Sequence, residues 1–223
     1  AAVTRLERTP AGWQVTTRGA EGETRTLHRA VLLAAPAYRL AEMELVTDAA
    51  PGLAALGEIY YPPVASVVLG FRREDVVHPL DGFGMLVPAV EHLHILGTLF
   101  SSSLFPNRAP EGHVLLTTYL GGVRAPELAL RPEPELVALT RRDLETLLGV
   151  RGAPTYQHVQ VYPRAIPQYE LGYGRFKGLM DEIEARAPGV FLAGHFRNGI
   201  SLGDSIIAGH DVAERIAAWL GGA

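Results

Sequence analysis

Gly199-Ile200-Ser201-Leu202-Gly203 matches G-x-S-x-G, the spacing that exposes a nucleophilic serine on a tight strand-to-helix turn. His195, Asp204, His210 and Asp211 lie close enough in sequence to suggest a base and an acid for that serine. The chemistry would be acyl transfer through a covalent intermediate. The spacing argues against it. An elbow serine sits directly at a strand end, whereas His195 to Asn198 intervene here after Ala193-Gly194. A hydrolase also needs its acid and histidine on later strands, and only one helix follows, which Asp204 and His210 would share with the elbow itself. A second grouping is His92, His94 and His113. The first two would lie on one face of a strand with the third opposite, but no Asp or Glu completes a ligand set, so no metal site is expected. Cysteine is absent, which excludes disulfides, zinc–thiolate and iron–sulfur ligation and a thiol nucleophile. Lys177 is the only lysine, so it alone could form a Schiff base, and it reads as a surface charge.

The same 189–209 stretch supports a different chemistry. An apolar strand, Gly189 to Gly194, runs through glycine-relaxed residues into a helix beginning near Gly203. A helix N-terminus offers unpaired N–H groups and a positive dipole end. That suits a pyrophosphate or the electron-rich edge of a reduced flavin. An ordinary strand-to-helix turn would give the same pattern.

The elements that must position this loop can be read along the chain. Residues 3–8, 13–18 and 24–29 read as an antiparallel meander, with Trp13, Val15 and Thr17 alternating. AVLLAA (30–35) is continuously apolar, as a strand covered on both faces would be, and Pro36 ends it. After the YYPPV kink (60–64), strands are expected at 65–71, 83–87, 93–99 and 113–120. A helix from Glu133 to a Gly149 cap, a strand at 155–162 and a helix around Phe176, Leu179, Met180 and Ile183 follow. The last helix runs from about Asp204 to Leu220. The 223 residues fit one large domain or two small ones, with 48% hydrophobic and 20% charged residues. Lys+Arg 20 against Asp+Glu 24 leaves a net charge of −4, so no basic field is available and no nucleic-acid partner is expected.

Three motifs in this order resemble the protoporphyrinogen oxidase family of FAD-dependent, amine-oxidase-like flavoproteins. They are GFGMLVP (82–88); LGTLFSSSLFPNRAPEG (96–112) followed by TTYLGG (117–122); and YPRAIPQYELGYG (162–174) leading into the G-I-S-L-G tail. The resemblance runs from Val3 to the C-terminus and lacks the family's Gly-rich βαβ unit, so the chain is expected to be the C-terminal half of a longer protein.

The resemblance implies a mixed α/β fold: a partial FAD-binding domain with an inserted, mostly antiparallel substrate-binding domain. Its expected parts are residues 1–52 (FAD domain), 53–162 (substrate domain) and 163–223 (FAD domain again). It implies that FAD meets Tyr162, Gly194, Gly199, Ile200, Ser201 and Leu202, with Tyr162 in a place usually held by Trp. It implies that Leu86, Leu99 and Tyr119 sandwich the tetrapyrrole, with Tyr119 in place of Phe. His195 stands where the family shows Asn or a small residue, and Tyr173 replaces a frequent His. No acid–base side chain is demanded of this segment, so none is assigned as catalytic. The family meets the substrate propionates partly through an Arg. Arg108 and Arg124 remain open candidates, explained equally well as loop charges.

The expected activity is oxidation of protoporphyrinogen IX to protoporphyrin IX in heme biosynthesis, with oxygen as acceptor. Coproporphyrinogen III oxidation, another amine-oxidase-like flavoenzyme and the serine hydrolase are the alternatives. The expected partners are the porphyrinogen and the rest of the same protein. A cytoplasmic location, peripheral attachment to the inner membrane and a homodimer are further expectations from the resemblance.

Overall fold

The computed structural model describes residues 1–47 and 50–222. In chain order the elements are β1 (Ala2–Thr9), β2 (Gly12–Gly19), β3 (Gly22–His28), β4 (Val31–Leu33), α1 (Ala37–Leu40), β5 (Glu44–Val46), β6 (Val64–Arg72), β7 (Gly84–Leu86), β8 (Ile95–Leu99), α2 (Ser101–Leu104) and β9 (His113–Gly121). There follow α3 (Glu133–Leu148), β10 (Tyr156–Tyr162), α4 (Gly174–Arg186), β11 (Val190–Leu192), α5 (His195–Asn198) and α6 (Leu202–Gly221). The chain divides into two compact units. One is residues 1–60 with 166–223, and the other is residues 61–165. The changes of unit fall at Tyr60/Tyr61 and Ala165/Ile166, within the YYPPV kink and the PRAIPQ segment, rather than at 52/53 and 162/163.

In the discontinuous unit, β3-β2-β1-β5 form one sheet. Its meander is antiparallel, and β5 adds parallel to β1. Trp13 is fully buried, and its indole N–H donates to the Pro188 carbonyl at 2.9 Å, which ties the meander to the chain entering β11. β4 pairs parallel with β11. Phe191, Ala193 and Val212 pack together beneath this pair, with Ile216 and Trp219 of α6 against them. Within this chain Leu33 of β4 is buried and Leu32 is 40% exposed.

In the continuous unit, β10-β6-β9-β8-β7 form an antiparallel sheet. Side chains alternate across it, as the two-residue strand period requires. Ala65, Val67, Leu69 and Phe71 of β6 and Val114, Leu116 and Leu120 of β9 face inward. Leu136, Val137, Leu144 and Leu148 of α3 close that face. Thr98 and Thr118 are buried there too, their hydroxyls satisfying each other at 2.9 Å. α3 has the expected amphipathic pattern and ends on Gly149 in a left-handed conformation. Its Asp143 is fully buried and accepts the backbone N–H groups of His94 and Ile95 at 2.5 and 3.1 Å, fixing the start of β8.

Candidate functional site

The outer face of the five-stranded sheet is set by the same alternation. Leu86 pairs with Gly97, Gly97 with Tyr119, and Leu99 with Thr117. Cross-strand partners point to the same side. Leu86, Leu99 and Tyr119 therefore lie on one face, delivered by three adjacent strands. Gly97 makes this possible. A Cβ there would come within 2.5 Å of the Met85 carbonyl oxygen and 3.2 Å of Leu86 Cα, so only glycine lets β7 close over β8. Leu86 is 90% exposed, an unusual position for a leucine held in a strand. Tyr162 ends β10 opposite Val64 and faces the same side, half exposed, in this unit rather than in the one that holds the other proposed flavin contacts.

A groove of about 730 Å³ that these three residues do not line lies further along the face, over Val68, Gly70, Leu115 and Thr117, and is walled by Phe105, Arg108, His113 and Tyr156. The structure also separates the two arginines. Arg124 donates to the Val87 carbonyl at 2.6 Å and is a structural tie. Arg108 lies over the Phe105 ring, at 5.5 Å from its centroid.

The other candidates meet on the loop after β11. Gly194 and Gly199 take φ values of 136° and 121° and bracket the short α5. Ser201 caps α6. Its hydroxyl accepts the Asp204 N–H at 3.0 Å, while the Asp204 carboxylate accepts the Ser201 N–H at 3.2 Å. This reciprocal arrangement is a capping box. The serine hydroxyl is thus engaged with backbone, and His210 faces Glu214 at 3.4 Å, so no hydrolytic triad is assembled. The carboxylate of Asp204 also occupies the positive end of α6. A pyrophosphate there would be opposed by it, whereas a neutral ring edge would not. The N–H groups of Leu202 and Gly203, in the first turn, lie outside the capping box, and Ile200, Leu202 and Ile206 present exposed apolar side chains beside them. Donors flanked by apolar surface fit the edge of a flat heteroaromatic ring such as a flavin.

Residues that the spacing did not single out hold the loop in place. The Tyr169 hydroxyl donates to the His195 carbonyl at 2.5 Å and accepts the Gly199 N–H at 3.1 Å, clasping both ends of α5. Tyr173 donates to the Phe196 carbonyl, and its ring packs on Tyr169 at 4.3 Å. Burial raises the Tyr169 pKa, although the Gly199 N–H opposes the rise, so the phenol stays a donor at neutral pH. Burial lowers the His195 pKa and keeps that imidazole neutral. From the other side, Arg197 reaches Glu184 at 2.6 Å, Asp181 at 2.7 Å and the Leu192 carbonyl at 2.8 Å. Glu184 also accepts Arg215 and the Leu192 N–H. Burial pushes the Glu184 pKa up, but the hydrogen bonds from Arg197, Leu192 and Arg215 outweigh it and leave the pKa lowered. The remaining histidines do not form the expected strand pair. His92 sits in a left-handed turn and His94 precedes β8, with its Nδ1 3.2 Å from Asp143. Among the described residues no three His, Cys, Asp or Glu side chains cluster as metal ligands, and no helix is long and apolar enough to cross a membrane.

Residues 1–217 match the model of the flavin-containing amine oxidoreductases. The chain belongs to that family. Over 195 residues it is 38% identical to the mitochondrial protoporphyrinogen oxidase of Nicotiana tabacum, which covers 86% of this chain and 39% of the relative. It is 29% identical over 158 residues to the coproporphyrinogen III oxidase of Staphylococcus aureus, covering 70% of this chain and 34% of the relative. A crystal structure of an Exiguobacterium sp. 255-15 protein carrying the protoporphyrinogen oxidase name superposes with a TM-score of 0.77 at 21% identity, over 96% of this chain and 46% of that one. This flavin-containing amine oxidoreductase therefore spans about two fifths of the length of the curated relatives it matches. The resemblance read from the three motifs, the mixed α/β fold and the flavin cofactor expected as FAD all agree with these matches.

Proposed function

We propose that the protein to which this chain belongs oxidises protoporphyrinogen IX to protoporphyrin IX with FAD, and that oxygen takes up the electrons. The observation that carries this reading is the alignment of Leu86, Leu99 and Tyr119 on one open sheet face. A flat, apolar macrocycle needs such a surface, because its recognition rests on buried area and ring contact. The bound flavin would supply the acceptor for hydride leaving a carbon that bridges two pyrroles. The chain's own residues do the rest. Leu86 and Leu99 offer apolar contact, Tyr119 offers a ring, and the clasped loop presents the Leu202 and Gly203 N–H groups beside Ile200. The macrocycle loses six electrons in all, taken in three two-electron steps. No side-chain acid or base is assigned, since the named positions carry none.

Coproporphyrinogen III is the second reading, favoured by the match to the staphylococcal coproporphyrinogen III oxidase. The protoporphyrinogen oxidases match at higher identity and over more of the chain. The test is Tyr119→Ala in the full-length protein. Loss of a large ring contact should weaken macrocycle binding by about 1–3 kcal/mol and raise KM, with flavin content unchanged. A loss of flavin with an unchanged KM would overturn the assignment of this face.

A further inference from the structure

The chain has two asparagines, Asn107 before Arg108 and Asn198 before Gly199. The side-chain carbonyl carbon of an asparagine is within reach of the next residue's backbone nitrogen, and attack by that nitrogen closes a five-membered ring. A glycine nitrogen is the least shielded nucleophile for this step, because no side chain flanks it and its backbone moves most freely. An arginine in that place is crowded by its own side chain. Asn198 ends α5 and is exposed, and among the described residues its side-chain amide has no hydrogen-bond partner. That side chain has no task in macrocycle or flavin contact.

The attacking atom is restrained by its neighbours. The Gly199 N–H donates to the Tyr169 hydroxyl at 3.1 Å, and that hydroxyl donates to the His195 carbonyl at 2.5 Å. The Asn198 N–H donates to the Gly194 carbonyl at 3.1 Å, which keeps Asn198 in the helical turn. A helical backbone holds the side-chain carbonyl away from the following nitrogen. Ring closure therefore requires the last turn of α5 to open and Gly199 to leave Tyr169. That is a local opening of one short segment, far less costly than global unfolding.

We infer that Asn198–Gly199 is a self-modification site, latched by Tyr169, at which Asn198 is converted to aspartate and isoaspartate. Once the latch opens, the Gly199 nitrogen gives up its proton and bonds to Asn198 Cγ, and the side-chain nitrogen leaves as ammonia. Water then opens the ring. Attack at Cγ restores the normal backbone as aspartate, whereas attack at the main-chain carbonyl leaves isoaspartate, with an extra methylene in the backbone. Both products place a negative charge next to Gly199, against which the Asp204 carboxylate already stands: a Cβ on Gly199 would lie 2.5 Å from Asp204 Oδ2. Isoaspartate also lengthens the segment between the two groups that Tyr169 clasps. Resting on the flavin contacts proposed for Gly199 to Leu202, the conversion is held back while flavin occupies the loop and proceeds once it leaves. The site then marks flavin-free protein irreversibly.

The test incubates the full-length protein, with and without bound flavin, in a mildly alkaline buffer that favours the amide anion. Peptide mass mapping reads the mass gain at Asn198, and electron-transfer fragmentation separates isoaspartate from aspartate. In flavin-free protein Asn198 should be converted while Asn107 stays intact. Tyr169→Phe should speed the conversion about 5- to 30-fold, the equivalent of about 1–2 kcal/mol for the lost hydrogen-bonding partner. The wild-type protein gives the same answer without a substitution: as denaturant is raised below the unfolding midpoint, exchange of the Gly199 amide and conversion of Asn198 should rise in parallel. Asn107 converted as fast as Asn198, a rate at Asn198 that Tyr169→Phe leaves unchanged, or a rate that does not follow Gly199 exchange overturns the latched site. Failure of the flavin reading shows differently. Conversion of Asn198 at equal rates with and without flavin, still accelerated by Tyr169→Phe, keeps the modification site and removes the flavin from this loop.

Discussion

Adding one methyl group at Gly199 should undo the start of α6. A Cβ at this position would stand 2.5 Å from Asp204 Oδ2 and 2.6 Å from its Cγ, well inside contact distance. The backbone φ of 121° is also one that side chains with a Cβ rarely adopt. Gly199→Ala must therefore either swing Asp204 out of the capping box or move the loop. Losing the box costs about 1 kcal/mol, and the backbone strain adds roughly 1–3 kcal/mol, for a total of about 2–4 kcal/mol. Since about 1.4 kcal/mol is a factor of ten, local opening of the first turns of α6 should become about 30- to 700-fold more frequent. Hydrogen exchange of amides 203–208 in the full-length protein reads this directly. Exchange within threefold of wild type would show that Asp204 does not fill the space behind Gly199, and the account of this loop would be wrong.

Three other perturbations have calculable outcomes. Ser201→Ala removes one half of the capping box, so it should accelerate the same amides by about fivefold, the equivalent of about 1 kcal/mol, while flavin-dependent oxidation persists; abolished turnover with flavin retained would give the hydroxyl a chemical role. Tyr169→Phe leaves the Gly199 N–H and the His195 carbonyl without their shared partner and should destabilise the loop by about 1–2 kcal/mol with looser flavin retention, measured by thermal shift and by flavin release; unchanged values in both would refute the clasp. Glu184 has a lowered pKa in the folded protein, so its stabilisation is fully present above its ordinary value of 4.5 and is lost as pH falls from there through the lowered value. The melting-temperature advantage of wild type over Glu184→Gln should accordingly be constant above about pH 5.5 and shrink at more acid pH; an advantage that grows on acidification would reverse the sign.

The sequence shows the strands best where one face is buried and the other is not. Alternation places β2 within a residue at each end, and the Leu pattern with a terminal glycine places α3 from its first residue to its cap. At residues 30–35 a continuous apolar run specifies what a strand can bury, not what covers it, and this chain itself covers Leu33 but not Leu32. The outer face could be read only through the resemblance, since the Leu86, Leu99 and Tyr119 residue types fit ordinary core equally well. At the loop, the serine motif hid a second pattern in the same letters. Ser201-x-x-Asp204 is the spacing of a reciprocal helix cap, and its partner atoms are backbone rather than histidine. Tyr169 and Tyr173 were out of reach because they act on carbonyl groups more than twenty residues further along the chain. Glu184 likewise gives no local sign that it gathers two arginines from separate elements.

The parallel pairing of β4 with β11 bears on the order in which the protein folds. Val31 meets Val190, so this contact closes a loop that contains most of the chain. Such closures are slow, because the entropy of bringing distant segments together is spent before any contact compensates for it. Residues 61–165, by contrast, form a compact unit from one uninterrupted stretch. On a ribosome that stretch emerges whole well before β11 exists, so the five-stranded sheet should be formed first. Residues 1–60 must then wait for the tail. During that interval β4 lacks its β11 partner, and a pause in synthesis between residues 166 and 190 would prolong the time that strand edge is open to aggregation.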